Sequence, residues 1–77
     1  MSEKIKLIWD FRGPAATQTA LHHEIHLKEF CNKEKYKHIE VGTKKISDHY
    51  STAFLIVPKA LMIEFRDTLR PHRGETA

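Results

Sequence analysis

Three polar side chains on one side of the predicted first helix could bind a metal ion. His22, His26 and Glu29 follow one another at intervals of four and three residues, and side chains at these intervals are neighbours on a helix surface. Imidazole nitrogens and carboxylate oxygens are common ligands of divalent transition metals. The residues therefore indicate either such a metal site or a solvated polar stripe. Their spacing is not that of the helical metalloprotease motif.

His23 differs from these histidines because it lies on the apolar side of the same helix, between Ala20 and Leu27. Burial of an imidazole costs free energy unless its nitrogens find hydrogen-bond partners. One interpretation is a neutral core histidine bonded to a sheet carbonyl or a hydroxyl group. The other is a catalytic candidate in a pocket, where a lowered pKa would suit a general base. We expect the core role, because the sequence places no Ser or Cys nucleophile beside it.

The junction between the first strand and the first helix is a candidate anion site. Pro14 is typical of a first helical position, and the free N–H groups after it attract negative charge. Arg12 would add a positive charge, and Gly13 would let a ligand approach the backbone. The alternative is a surface ion pair between Asp10 and Arg12, with Gly13 required only by the turn.

The alternation of apolar and polar residues predicts the elements that hold these candidates. We predict strands over 5–11, 36–46 and 50–57, and helices over 14–33 and 58–69. Pro58 ends the third strand and begins the second helix. The polar segment 71–77 is expected to be a flexible tail that follows a single domain over 1–70.

The order β-α-β-β-α indicates an α+β fold. A right-handed crossover of the first unit places strands 1 and 3 side by side, with both helices on one face of a three-stranded antiparallel sheet. This arrangement resembles the ferredoxin-like split β-α-β topology with its final strand missing or very short. The resemblance is one of topology and implies no function.

The other face of this sheet is expected to be free of helices. Ile8 interrupts the polar side of the first strand, and the run 54–57 is apolar on both sides. The residues expected on the open face are Ile8 with either Phe54 and Ile56 or the alternate set Ala53, Leu55 and Val57. A chain of 77 residues is marginally stable alone, and pairing with a second copy would bury this surface.

The composition is that of an ordinary globular domain, with 40% hydrophobic and 30% charged residues. The net charge of +3 comes from 13 basic and 10 acidic residues that are interspersed along the chain, so nucleic-acid binding is not expected. No apolar run reaches the ~20 residues of a membrane span. The start of the sequence lacks the pattern of a signal peptide, and the single Cys31 excludes an intramolecular disulfide. A cytoplasmic protein is expected.

Three functional hypotheses follow. The first is a small non-catalytic interaction module that acts as a homodimer through the open sheet face and needs no cofactor. The second is a small-molecule or metal site, with or without catalysis, on the histidine-rich first helix. The third is weak nucleic-acid binding through a basic cluster at the end of the second helix, formed by Arg66, Arg70, His72 and Arg73.

Overall fold

The structure is a computed structural model that describes residues 3–36 and 39–77. In chain order its elements are β1 (Lys4–Arg12), α1 (Ala16–Lys33), β2 (Glu40–Ser47), β3 (Tyr50–Pro58), a 3₁₀ turn (Lys59–Leu61), α2 (Met62–Leu69) and β4 (Arg73–Thr76). The strands form one antiparallel sheet in the order β2-β3-β1-β4. The two strands predicted to be most apolar, β1 and β3, therefore lie at its centre.

The predicted α+β class is confirmed, but the predicted count of three strands is wrong. Residues 73–76, which the sequence assigned to a polar tail, pair antiparallel with β1 between Ile5 and Ile8. All four residues of β4 are exposed, and its sequence Arg-Gly-Glu-Thr has no alternation of apolar and polar residues. The sequence therefore does not indicate this strand. It forms because β1 would otherwise leave a row of backbone N–H and C=O groups without partners.

The turn between β1 and α1 extends further into the predicted helix than the sequence indicated. The helix begins at Ala16, two residues after the predicted start, and no side chain caps its first turn. Gly13 has a φ of +112°, a conformation that favours glycine. Its N–H donates to the carbonyl oxygen of His49 at 2.8 Å, which ties this turn to the β2–β3 turn. Residues 37 and 38 of the predicted second strand lie outside the described residues.

A single core fills the space between the sheet and the two helices. Alternate residues of β1 and β3 face it, and α1 and α2 cover it from above. Its buried members are Leu7, Trp9, Leu27, Cys31, Ala53, Leu55, Val57 and Phe65. The Phe65 ring of α2 lies 5.8 Å from that of Phe30 on α1, measured between centroids. Both helices therefore pack against the same side of the sheet.

None of the helices within residues 3–36 and 39–77 lies on the opposite face of the sheet, yet this face is not bare. Ile8 was expected to be exposed there, but it is only 3% exposed. It lies opposite Phe54 on β3 and opposite Arg73 on β4, and cross-strand neighbours on one face are in side-chain contact. The prediction for Ile8 is wrong because long side chains of the adjacent strands cover it. Phe54 and Ile56 point to this face and are partly exposed.

Phe54 and Gly42 form a cross-strand pair on this helix-free face. A Cβ atom added at Gly42 would lie 2.6 Å from Cζ of the Phe54 ring, so the ring occupies the place of the missing side chain. An aromatic ring across from a strand glycine covers its backbone and offsets the weakness of glycine in a strand. The ammonium of Lys6 lies 4.5 Å from the same ring centroid, a cation–π contact.

Replacing Gly42 by Val should test this pair. With Phe54 present, overpacking of about 1–3 kcal/mol should outweigh a gain in strand propensity of at most ~1 kcal/mol, so the free energy of unfolding should fall. With Phe54→Ala in the same chain, Gly42→Val should be neutral or stabilising. Urea denaturation of the four proteins measures both effects. An equal cost with and without the ring would show that the pair does not exist.

Candidate functional site

Asp10 is the centre of a polar network on the helix-free face. The hydroxyl of Tyr50 on β3 donates to Oδ1 of Asp10 at 2.5 Å. Arg73 on β4 binds the same carboxylate twice, from Nε to Oδ2 at 3.1 Å and from Nη2 to Oδ1 at 3.2 Å. Asp10 of β1 thus links β3 and β4, the two strands that flank β1 in the sheet.

These contacts shift the protonation of all three groups. Hydrogen bonds from Arg73 and from Tyr50 lower the pKa of Asp10, because they favour the carboxylate over the neutral acid. The same carboxylate raises the pKa of the Tyr50 phenol and that of the Arg73 guanidinium. The network is therefore most stable with Asp10 ionised, Tyr50 neutral and Arg73 charged.

The three residues of the predicted anion site do not converge on one point. The guanidinium of Arg12 lies over the Tyr50 ring, 4.2 Å from its centroid. The carboxylate of Asp10 pairs with Arg73 rather than with Arg12. The N–H of Gly13 already donates to His49. Anion binding at this turn stays a prediction.

His23 lies at the seam between α1 and the sheet, where the helical periodicity placed it. Its ring packs against two aromatic side chains of β1, with centroids 4.9 Å from Trp9 and 5.5 Å from Phe11. Within the described part of the chain, its Nε2 atom is buried and has no hydrogen-bond partner. The bond to a sheet carbonyl or hydroxyl that the core interpretation required is therefore not made by this nitrogen.

The surroundings of His23 oppose its protonation. Burial lowers its pKa first, because the cation loses hydration among aromatic rings, and electrostatic repulsion between His23 and the nearby His26 and His72 lowers it further. His23 is accordingly a neutral imidazole at neutral pH. This is the state that a proton acceptor needs, and the catalytic role stays a prediction.

His72 is a functional-site candidate that the sequence indicated only as part of a basic cluster. Its Nδ1 accepts the backbone N–H of Asp10 at 2.8 Å, and its own backbone N–H donates to Ile8 at 2.9 Å. The ring lies edge-on to Phe11 at 6.2 Å between centroids. The side chain thus extends the β1–β4 pairing by one position. No sequence signal could show this, because it depends on a strand that the sequence does not predict.

His22 and His26 are brought together on the exposed side of α1. Their Nε2 atoms are 2.9 Å apart, and their ring centroids are 4.6 Å apart. Oε2 of Glu29 lies 4.0 Å from Nδ1 of His26, the nitrogen on the other side of that ring. Among residues 3–36 and 39–77, no group of three or more His, Cys, Asp or Glu side chains is arranged to hold a metal. A role of Glu29 as a third ligand beside the two imidazoles stays a prediction.

A groove of about 460 Å³ opens between α2, β1 and β4. Apolar side chains from β1 and α2 line it, with Arg66 among the polar residues at its margin. Gly74 of β4 helps to keep it open, since a Cβ atom there would lie 3.6 Å from Cδ2 of Leu7. The sequence could not indicate this groove, because one of its walls is the unpredicted strand.

Comparison with known proteins finds no family model, no curated protein and no solved structure that matches this chain. None of the helices described by the structure is long and apolar enough to cross a membrane. The function is therefore inferred from the residues and contacts of the chain itself.

Replacing His23 by Phe should change how stability depends on pH. Because the fold lowers the pKa of His23, its neutral ring contributes stability above the ordinary histidine pKa of about 6.5, and this contribution is lost as pH falls from there towards the lower pKa of the folded state. Urea denaturation between about pH 5 and pH 7.5 should show a smaller loss in His23→Phe than in the wild type. The control His49→Ala, in an exposed turn, should keep the wild-type profile, and an unchanged profile in His23→Phe would disprove this role.

Removing Arg73 should destabilise the protein at neutral pH but much less in acid. The lowered pKa of Asp10 means that its ion pair contributes stability above the ordinary Asp pKa of about 3.9 and loses it as pH falls below that value. The difference in unfolding free energy between Arg73→Gln and the wild type should therefore shrink from pH 7 to about pH 2.5. Arg66→Gln is the matched control, since Arg66 contacts only its sequence neighbour Asp67 among the described ion pairs. A difference that does not depend on pH would contradict the ion pair.

Proposed function

We propose that the protein is a small non-catalytic interaction module that pairs with a second copy of itself through the helix-free face of its sheet. The observation that carries the proposal is the distribution of charge on this face. The strand registers define three rows that cross β2, β3 and β1. In that order the rows are Glu40-Ile56-Lys6, Gly42-Phe54-Ile8 and Lys44-Thr52-Asp10.

In the first and the third of these rows, the residue on β2 and the residue on β1 carry opposite charges. Glu40 shares a row with Lys6, and Lys44 shares a row with Asp10. A two-fold axis along β3 would place β2 of one copy over β1 of the other. Each acidic side chain would then face a basic one of the second copy, and the symmetry would form every pair twice. This self-complementarity favours another copy of the chain as the occupant.

The middle of the face is apolar. Phe54 and Ile56 on β3 are partly exposed, and in a two-fold pair they would meet close to the axis. Stacked sheets pack about 10 Å apart with their inner side chains interdigitated. The backbone of Gly42 is already covered by the Phe54 ring, and the ammonium of Lys6 lies over the same ring, so this apolar centre adjoins a charge that Glu40 of a second copy could pair with.

The topology and the location belong to the same proposal. With β4 included, the element order and the sheet order correspond to a complete ferredoxin-like split β-α-β arrangement, which leaves one sheet face free. Chains of this length bury only about 60% of the surface that they expose when unfolded, so a second copy would add stability. The single cysteine is a buried free thiol, which suits the reducing cytoplasm.

Light scattering across the micromolar range tests the proposal. The expected mass is twice the 9.0 kDa of one chain. Ile56→Glu should shift the protein to the monomer, because it places an unpaired charge inside the interface. The control Ile63→Glu changes an apolar residue on α2 that is 57% exposed, and it should leave the dimer intact. A wild-type monomer at every concentration, or a dimer broken only by Ile63→Glu, would overturn the proposal.

A charge exchange tests the orientation of the two copies. Lys6→Glu should weaken the dimer, because it faces Glu40 of the second copy across the proposed axis. Adding Glu40→Lys should restore the association. Within one chain these two residues are separated by β3, about two strand spacings or ~9.6 Å between backbones, so their side chains would have to extend fully across Ile56 to pair inside the monomer. Failure of the double variant to recover would exclude this axis.

A further inference from the structure

We propose that His22 and His26 form a binding site for a late first-row divalent transition metal, with Cu²⁺ and Ni²⁺ favoured over Zn²⁺. Both side chains project from the exposed side of α1, one helical turn apart. Their Nε2 atoms approach to 2.9 Å. The site lies on a helix, away from the proposed dimer face, and is independent of it.

The separation of the two nitrogens indicates the coordination geometry. Metal–nitrogen bonds of about 2.0–2.1 Å place two nitrogens about 2.9 Å apart at a right angle and about 3.3 Å apart at a tetrahedral angle. The observed 2.9 Å is the length of the hydrogen bond between the two nitrogens, and it is also the separation that a right angle requires. Square-planar and tetragonal sites of this kind are typical of Cu²⁺ and Ni²⁺, whereas Zn²⁺ favours the tetrahedral arrangement.

The orientation of the rings supports a shared ligand rather than a linear contact. A linear N–H···N bond of this length would hold the ring centroids about 5 Å apart, but they are 4.6 Å apart with an angle of 62° between the planes. The two rings are therefore inclined so that their Nε2 atoms converge. In the free protein one imidazole donates to the other. A metal replaces that bond, and the donor ring moves its proton to Nδ1.

Glu29 is a positioning residue for this site. Its Oε2 lies 4.0 Å from Nδ1 of His26. A carboxylate on this side favours the ring with its proton on Nδ1, which leaves the Nε2 lone pair free for the metal. Since the protein supplies two ligands, water fills the remaining coordination positions.

Calorimetric titration of the untagged protein with Ni²⁺, Cu²⁺ and Zn²⁺ chlorides tests the site. One ion per chain should bind, and His22→Ala and His26→Ala should each weaken Ni²⁺ binding by at least about tenfold, as loss of one of two ligands requires. Glu29→Gln should weaken it less than either alanine variant does, because Glu29 orients a ligand without being one. The control His49→Ala removes an exposed histidine of the β2–β3 turn and should bind Ni²⁺ like the wild type.

Three further results decide the proposal. Circular dichroism and the metal-free melting temperature should be unchanged in the variants, so that lost binding is not lost folding. The monomeric Ile56→Glu variant should bind Ni²⁺ as the wild type does, which separates this site from the dimer. Cu²⁺ binds most nitrogen sites tightly, so the decisive comparison is between Ni²⁺ and Zn²⁺. No Ni²⁺ binding, or binding that both alanine variants keep, would overturn the site, and tighter Zn²⁺ binding would overturn its right-angled geometry.

Discussion

The central position of β1 is the constraint on which the rest of the structure depends. Because β3 and β4 pair with its two edges, both of its faces must be covered. The helices cover the face that carries Leu7 and Trp9, which are 2% and 3% exposed. None of the described helices lies on the other face, which is covered instead by long side chains of the strands themselves. Asp10 fixes the positions of two of these side chains, because its carboxylate binds Tyr50 and Arg73 at the same time.

The different cover of the two sheet faces indicates where the protein can contact a partner. The helix side is closed by a packed core, whereas the helix-free face is only partly closed, with Phe54 and Ile56 still reaching solvent. The outer side of α1 also carries apolar residues, since Leu21 is 47% and Ile25 is 54% exposed. On that helix the opposite charges of Glu24 and Lys28 already pair within one chain at 3.5 Å, whereas the acidic and basic residues of the sheet face lie on different strands and can meet those of a second copy. Electrostatic self-complementarity therefore favours the sheet face for a second copy.

The sequence predicted those features that depend on local periodicity. The end of α1, the span of β3 and the place of His23 at the seam follow from side chains repeating every 3.6 or every two residues. β4 could not be predicted, because residues 73–76 become a strand only when the edge of β1 is present to pair with them. The burial of Ile8 was missed for a related reason, since its cover comes from strands distant in sequence. The spacing of His22 and His26 was informative, but the position of Glu29 behind the pair depends on side-chain rotamers.

The central claim is that the helix-free face meets a second copy, and an isotope-filtered NOE experiment on a mixture of ¹³C-labelled and unlabelled protein tests it most directly. NOEs between the two copies are expected from the Phe54 ring to Ile56, the two apolar residues of this face that are partly exposed. They are not expected from Leu21 or Ile25 on α1. Intermolecular NOEs confined to α1, or none at concentrations well above those used for light scattering, would contradict the claim.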